Sequence, residues 1–335
     1  MLKKRICIGY FIGLGDLICA LPSIDSISRK KYDVTIVVHP KLREILGFFK
    51  LKSLKVIFLE KKINKSFVNA LNQINNSFSQ IIISPHAQYQ NSSFLVPILF
   101  RILKNRDALL CGSKFQRLSF LFDQKISIQM FQPAWSREYE LYYRLDLLPS
   151  KLDLPKLKIK DKVNLNKNIH QIFFHVGASK KNKTFTIKYI KDFVNYFLLM
   201  TNSSYKILIS GHDGKLMKYL LDSITDNQKQ RVKFIQGNLK KIIKQIRASN
   251  ITLTMDSGIS HLASLYSDNH ILICGPTDPI LVRPSNPNTK IIFNKSIDCQ
   301  PCNKKRCSYS VNNCLNNIKY SHILNIIHSY NEKKI

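Results

Sequence analysis

A carboxylate, a hydroxyl and a glycine follow one another at Asp256-Ser257-Gly258, and an imidazole, His261, comes one helical turn after Ser257. The apolar run Ile251 to Met255 precedes them. Ile259, Leu262, Ala263 and Leu265 to Tyr266 follow near helical spacing, so the polar group stands where a strand turns into a helix. The first amides of a helix have no intrahelical partner and carry the positive end of its dipole, which suits a phosphate. The same residues also make an ordinary helix start, with Asp256 or Ser257 as cap and Gly258 permitting the turn. A second polar turn favours the ligand reading. Gly275-Pro276-Thr277 closes the next apolar run, Ile271 to Cys274, and ligands of doubly wound sheets sit beyond the carboxyl ends of strands.

Other strand ends carry polar groups. Arg5 to Phe11 runs into Ile12-Gly13-Leu14-Gly15-Asp16, whose glycines allow a sharp turn with room for a ligand. This is not the full dinucleotide fingerprint, because Ala20 and Leu21 stand where that motif tightens and no ribose-binding acid follows. Asp16 on its own is equally a helix cap. Ile169 to Val176 ends in Gly177-Ala178-Ser179, with Lys180, Lys181 and Lys183 close behind. A lysine there can neutralise charge developing on a leaving diphosphate, although proximity does not choose among the three. Tyr205 to Ser210 ends in Gly211-His212-Asp213, and Gln80 to Ser84 ends in Pro85-His86-Ala87. His86 fits an acceptor-side role or an ordinary loop histidine.

Strands and helices must alternate to bring such turns to one edge of a sheet. After the first strand and a helix with Leu17, Ile18, Leu21, Ile24 and Ile27 on one face come strands at Asp33 to Val38 and Lys55 to Leu59. A helix is expected from Pro40, others over Ser66 to Asn76 and Phe94 to Leu103, and a strand over Ala108 to Cys111. Trp135 to Leu148 has the pattern of an amphipathic helix whose aromatics pack. Residues 1–150 therefore form one α/β domain. Pro149 to Asn168 lacks either periodicity, is rich in Lys and contains Pro155, so 151–168 reads as a linker. Residues 169–335 form a second α/β domain, with helices at Ile187 to Met200 and Leu239 to Ala248, a strand at Val232 to Ile235 and a closing helix, Ile318 to Tyr330.

D-S-G-x-x-H-L-A, a strand and G-P-T-D-P closely resemble the C-terminal signature of the ADP-heptose:lipopolysaccharide heptosyltransferases, glycosyltransferase family 9. Gly15, Asp16 and Pro22 match its G-D-x-x-x-x-x-P, and Gly177-Ala178-Ser179 with Lys183 resemble its G-A-S-x-x-x-K-x-W, with Phe185 in place of Trp. The resemblance implies the GT-B architecture, two Rossmann-like doubly wound domains facing across a cleft. It implies transfer, with inversion, of a heptose or related sugar from an ADP-sugar to a lipopolysaccharide core or other glycolipid. Asp16 then becomes the general base, and Lys183, with the amides of Ser257 and Gly258, steadies the diphosphate. Gly177, Ser179, Gly211, Asp256, Ser257, Gly258, His261 and Thr277 fall on the donor side, Gly15 and His86 on the acceptor side. No cofactor and no catalytic metal is required. A different GT-B nucleotide-sugar transferase and a non-catalytic, basic nucleic-acid-binding protein are the alternatives.

The second alternative rests on charge. Fifty-two Lys and Arg face twenty-one Asp and Glu, a formal net charge of +31. The lysines are spread along the chain and no base-reading signature emerges, so an anionic glycolipid and the cytoplasmic face of the inner membrane are the expected partners rather than a specific nucleic acid. No apolar run approaches the ~20 residues needed to span a bilayer, and without an export signal the expected location is cytoplasmic. Of eight cysteines, Cys7, Cys19, Cys111 and Cys274 lie in apolar runs. Cys299, Cys302, Cys307 and Cys314 can close a tetrahedral zinc site or remain reduced thiols. Limited proteolysis is expected to cut first within 151–168 and to leave two compact fragments. Primary cleavage inside Ile251 to Cys274 would contradict the division.

Overall fold

The computed structural model describes residues 4–11, 13–29, 32–49, 54–60, 69, 78–84, 98, 100–101, 107–116, 118–149, 170–211, 214–294, 296–304, 306–309 and 313–331. The chain divides into two compact units, Met1–Asp161 and Lys162–Ile335. The division falls within 151–168, which itself lies outside the described residues.

Each unit is built on a six-stranded sheet in which every pairing is parallel. The first comprises β1 (Lys4–Phe11), β2 (Tyr32–Val38), β3 (Leu54–Phe58), β4 (Gln80–Ile83), β5 (Leu109–Ser113) and β6 (Gln124–Ile126), in the order β3-β2-β1-β4-β5-β6. The second comprises β7 (His170–His175), β8 (Tyr205–Ser210), β9 (Val232–Ile235), β10 (Ile251–Met255), β11 (His270–Cys274) and β12 (Lys290–Phe293), in the order β12-β11-β10-β7-β8-β9. Read from β9, the second order repeats the first. Both are the Rossmann order, which reverses between β1 and β4 and again between β7 and β10. The crevice beyond the strand ends at such a reversal is where ligands of this fold bind.

Central strands of a sheet covered on both faces must be apolar throughout, and β10 and β11 are buried at every residue. Phe173 and Phe174 point to opposite faces of β7. Phe174 packs edge to face on Phe193 of α3 (Ile187–Met200), with centroids 5.7 Å apart, while Phe173 joins Ile242 and Ile246 of α4 (Leu239–Arg247). The closing helix (Tyr320–Asn331) sets Ile323, Leu324 and Ile327 into the Phe193 cluster, and its Tyr330 hydroxyl donates to the His270 carbonyl at 3.1 Å.

In the first unit α1 (Leu14–Ser28) is buried on more than the one face expected. Cys19, Ala20, Ser23, Asp25 and Ser28 are covered as well as the five apolar residues. Helix α2 (Ala134–Arg144) packs on it. Asp25 is satisfied by Arg29, whose Nε donates to it at 2.6 Å. The helix expected from Pro40 is only a turn, Pro40–Leu42 continued by Arg43–Leu46 and stopped at Gly47. The helix over 66–76 lies outside the described residues apart from a helical residue 69. That over 94–103 is described only at 98, 100 and 101, all helical. Strands β6 and β12 were not expected. Each is short, each pairs on one side only, and β6 reads Gln-Lys-Ile, without an apolar alternation.

His270 is buried between Thr254 Oγ1 (2.8 Å) and Thr289 Oγ1 (3.2 Å), and burial pushes its imidazole down to about 3. His175, bonded through Nδ1 to Ser210 Oγ at 2.9 Å, is pushed by burial down to about 4. In the unfolded chain both take up protons near 6.5. Below that pH the unfolded state therefore binds more protons, and stability present at neutral pH is lost as pH falls. The urea midpoint of the second unit is expected to be lower at about pH 5.5, above the main carboxylate range, than at about pH 7. His270→Gln should flatten that dependence, and a midpoint equal at the two pH values would refute it.

Candidate active site

The reversal between β7 and β10 gathers the polar groups of the second unit. After β7 the chain passes through Gly177 and the exposed Ser179 into a turn, Lys181–Lys183, and Thr186 then caps α3 by accepting from the Tyr189 amide at 3.2 Å. After β10, Asp256 and Ser257 lead into α5 (Gly258–Tyr266). Because β7 and β10 are paired, these turns adjoin. Lys183 Nζ lies 2.5 Å from Asp256 Oδ2, with the two side chains 19% and 7% exposed. Of the three lysines, this one is tied to the strand end.

Ser257 occupies the N-cap position of α5, yet its side chain makes no capping hydrogen bond. Its Oγ is buried with no partner among the described residues. A buried hydroxyl left unpaired beside first-turn amides suits an anion supplied from outside. His261, on the same helix, has its imidazole lowered by burial, with Asp256 raising it and Lys183 lowering it further. It stands neutral at neutral pH.

Gly177 and Gly211 have a packing cause. A Cβ on Gly177 would lie 2.9 Å from the Gly211 carbonyl oxygen, and Gly211 is left-handed, with φ +74°. The adjacent ends of β7 and β8 touch backbone to backbone, which only glycines permit. Phe185, where the resembling motif has Trp, is buried and stacks on Tyr189 with ring centroids 4.1 Å apart. His212 and Asp213 lie outside the described residues.

The cysteine-rich segment buttresses this site. The Asn303 amide donates to the Pro276 carbonyl at 2.8 Å and Gln300 Nε2 to the Gly275 carbonyl at 2.5 Å, holding the turn that carries Thr277. Asn182 Nδ2 donates to the Lys304 carbonyl at 2.6 Å, holding the turn that carries Lys183. Cys299, Cys302, Cys307 and Cys314 form no disulfide and line one small cavity with Asn182 and Pro276. Burial, and then the other three sulfurs, push the Cys314 thiol up to about 11. Among the described residues, no three His, Cys, Asp or Glu side chains are placed to hold a metal ion.

The first unit collects acids at its own reversal. Asp16 stands partly exposed in the first turn of α1, where Gly13 offers no side-chain cap, and Gly15 adjoins it. Beyond β4, the Ser84 amide continues the sheet by donating to the Gly9 carbonyl at 2.9 Å, and its hydroxyl donates to Glu138 of α2. Glu138 is wholly buried. Sequence reasoning passed over it because α2 read as packing. The signal was there: Trp135, Glu138, Tyr142 and Leu145 share one stripe of the helix, and an acid on an apolar stripe needs a reason. His86 lies outside the described residues.

The model of glycosyltransferase family 9 (heptosyltransferase) matches residues 90–312, which include Lys183, Asp256–Gly258, Cys299, Cys302 and Cys307, begin after Asp16 and end before Cys314. Lipooligosaccharide heptosyltransferase 2 of Campylobacter jejuni subsp. jejuni serotype O:2 is 25% identical over 321 residues, 91% of this chain and 92% of that protein. The structure of E. coli ADP-heptose lps heptosyltransferase II is similar at TM-score 0.71, with 16% identity and 99% of each chain covered. That of E. coli heptosyltransferase WaaC with ADP is similar at TM-score 0.67, with 15% identity, covering 97% of this chain and 99% of that one. The fold is that of the GT-B class.

Breaking one side of a largely buried ion pair leaves the other charge uncompensated. Lys183→Met is therefore expected to destabilise the second unit by about 3 kcal/mol in urea unfolding. Lys183→Met combined with Asp256→Asn should cost less than the single change. Wild-type unfolding of the single variant would show that the pair does not hold the two turns.

Proposed function

The chain belongs to glycosyltransferase family 9, the heptosyltransferases, and on that premise we propose that it transfers heptose from an ADP-activated donor to an anionic lipopolysaccharide-core glycolipid with inversion. The observation that carries this reading is a cation held on Asp256 beside the opening amides of α5, at the place where this fold binds phosphates. The acceptor hydroxyl oxygen forms a bond to the anomeric carbon as the bond from that carbon to the diphosphate oxygen breaks. Asp16 takes the hydroxyl proton, and ADP leaves with its new charge met by Lys183 and the amides of Ser257 and Gly258. These groups supply the positive charge that a divalent ion supplies in other transferases. Ser257 Oγ and His261 flank the same turn on the donor side, with Ser179 and Thr277 on the turns beside it.

Among the described residues no helix is long and apolar enough to cross a membrane. The acceptor is a glycolipid, and a net charge of +31 draws the protein to an anionic surface, so the proposed place of work is the cytoplasmic face of the inner membrane.

Asp16→Asn tests the chemistry. General-base catalysis contributes ~10²–10⁴-fold, so turnover should fall by about that factor while ADP still raises the melting temperature. Asn caps helices as well as Asp does, so a merely capping Asp16 would leave turnover near normal and sink the assignment. Lys183→Ala should weaken ADP binding and turnover together, because its charge meets the diphosphate before and during reaction. A panel of nucleotide sugars decides the donor, and preference for a sugar nucleotide other than ADP-heptose would redirect it.

A further inference from the structure

The first unit contains a carboxyl group that the mechanism above does not use. Glu138 lies at 0% exposure on α2, whose partner is α1, the helix that carries Asp16. Both its oxygens are taken by donors. Ser84, at the end of β4, gives its hydroxyl hydrogen to Oε1, and Tyr142, one turn on and fully buried, donates to Oε2 at 2.7 Å. Ser84 is itself locked, its amide on Gly9 and its carbonyl accepting from Gln116 Nε2 at 2.7 Å. A carboxyl clamped by a strand end and a helix cannot turn away from its surroundings, where α2 packs on the helix that carries Asp16 and the charge of Asp16 reaches it.

Among the described residues, the charged and titratable groups that act on Glu138 bear on the same balance. Burial raises Glu138 to about 7; the two hydrogen bonds lower it, the Asp16 charge raises it, and the adjacent Arg137 lowers it. Cys19 of α1, one turn beyond Asp16, feels both acids and is raised well above the ordinary thiol range, burial coming first. It stays a neutral thiol. Two acids sharing one site divide their affinities for protons, so the ionisation of one is felt by the other.

We infer that Glu138 is a positioning residue of the acceptor side, whose charge governs how strongly Asp16 holds the proton it takes from the acceptor hydroxyl. The inference rests on Asp16 being the base. An ionised Glu138 behind Asp16 makes Asp16 a stronger base, since the proton that arrives relieves the repulsion between them. A protonated Glu138 removes that push. The buried clamp keeps the charge from being screened by water, which is why a group that touches no substrate can act on the transfer.

The test is kcat against pH for the full-length protein with ADP-heptose and a lipopolysaccharide core lacking heptose. It compares wild type with Glu138→Gln, Tyr142→Phe and Asp16→Asn. Glu138→Gln keeps the shape and can still bond Ser84 and Tyr142. It should lower kcat by roughly tenfold, short of the ~10²-fold or more lost with the base itself, and move the acid limb to lower pH by about one unit. Tyr142→Phe removes a donor from the carboxylate and should move the limb the opposite way, to higher pH. Thermal stabilisation by ADP should be unchanged in both. A wild-type profile in Glu138→Gln, or a fall in kcat with no shift of the limb, overturns the inference. Should Glu138→Gln fail to fold, an unshifted limb in Tyr142→Phe overturns it equally. Near-normal turnover in Asp16→Asn would remove the base reading and this inference with it. Loss of turnover there beside an unaltered Glu138→Gln would remove only the role of Glu138.

Discussion

The ion pair between Lys183 and Asp256 joins two turns that are 73 residues apart in sequence. It forms because β7 and β10 are neighbours, and they are neighbours because the strand order reverses between them. A carboxylate at 7% exposure beside an apolar strand end would be costly alone. Lys183 compensates it and is in turn fixed over the opening of α5. The rest of the second unit serves that arrangement. Gly177 and Gly211 let the ends of β7 and β8 close on each other, and the cysteine-rich segment ties down both the Lys183 turn and the turn after β11.

The two units share one strand order and use it for opposite chemistry. Where the second places a cation and the opening amides of a helix, the first places two acids, one partly exposed and one sealed behind Ser84 and Tyr142. On the proposed mechanism the division follows from the reaction, since one reactant must lose a proton and the other must leave as an anion. A single doubly wound scaffold supplies both, because the strand ends are fixed by the sheet while the side chains set upon them are free to differ.

Much of this was legible in the chain. Ile251–Met255 is a continuous β-branched or apolar run, Tyr205–Ser210 and Val232–Ile235 are mostly apolar with one lysine each, and the strands occupy those residues. Asp256-Ser257-Gly258 was readable as a strand end that opens a helix, and the structure places it there. Two of the four edge strands, β6 and β12, were not legible, since they are short and gain their pairing only from a neighbour already in place. Spacing alone left Lys180, Lys181 and Lys183 equivalent. The resemblance pointed to Lys183, and its bond to Asp256 depends on strand pairing that no local pattern shows. Glu138 was lost for a related reason. A helix with Glu, Arg and Tyr in it reads as amphipathic, and only the packing of α2 on α1 turns one of its acids inward.

The charge of the chain and the charge of the donor-side turn are different quantities. Lys183 and Asp256 cancel, His261 is held neutral, and Lys180 and Lys181 are exposed. A diphosphate is therefore not drawn to this turn by net charge. An ammonium group carries three donors, of which one is given to Asp256, so two remain for phosphate oxygens without breaking the pair. Asp256 then acts as the group that aims Lys183 rather than as a competitor for it. On the proposed mechanism recognition rests on donors fixed in direction: the lysine N–H groups, the opening amides of α5 and the Ser257 hydroxyl, which has no partner among the described residues. Such contacts act at short range and are weakly screened by salt, whereas a charge of +31 spread over the surface acts at long range and is strongly screened. On the proposed mechanism the first selects the donor, and the second acts on whatever anionic surface carries the acceptor.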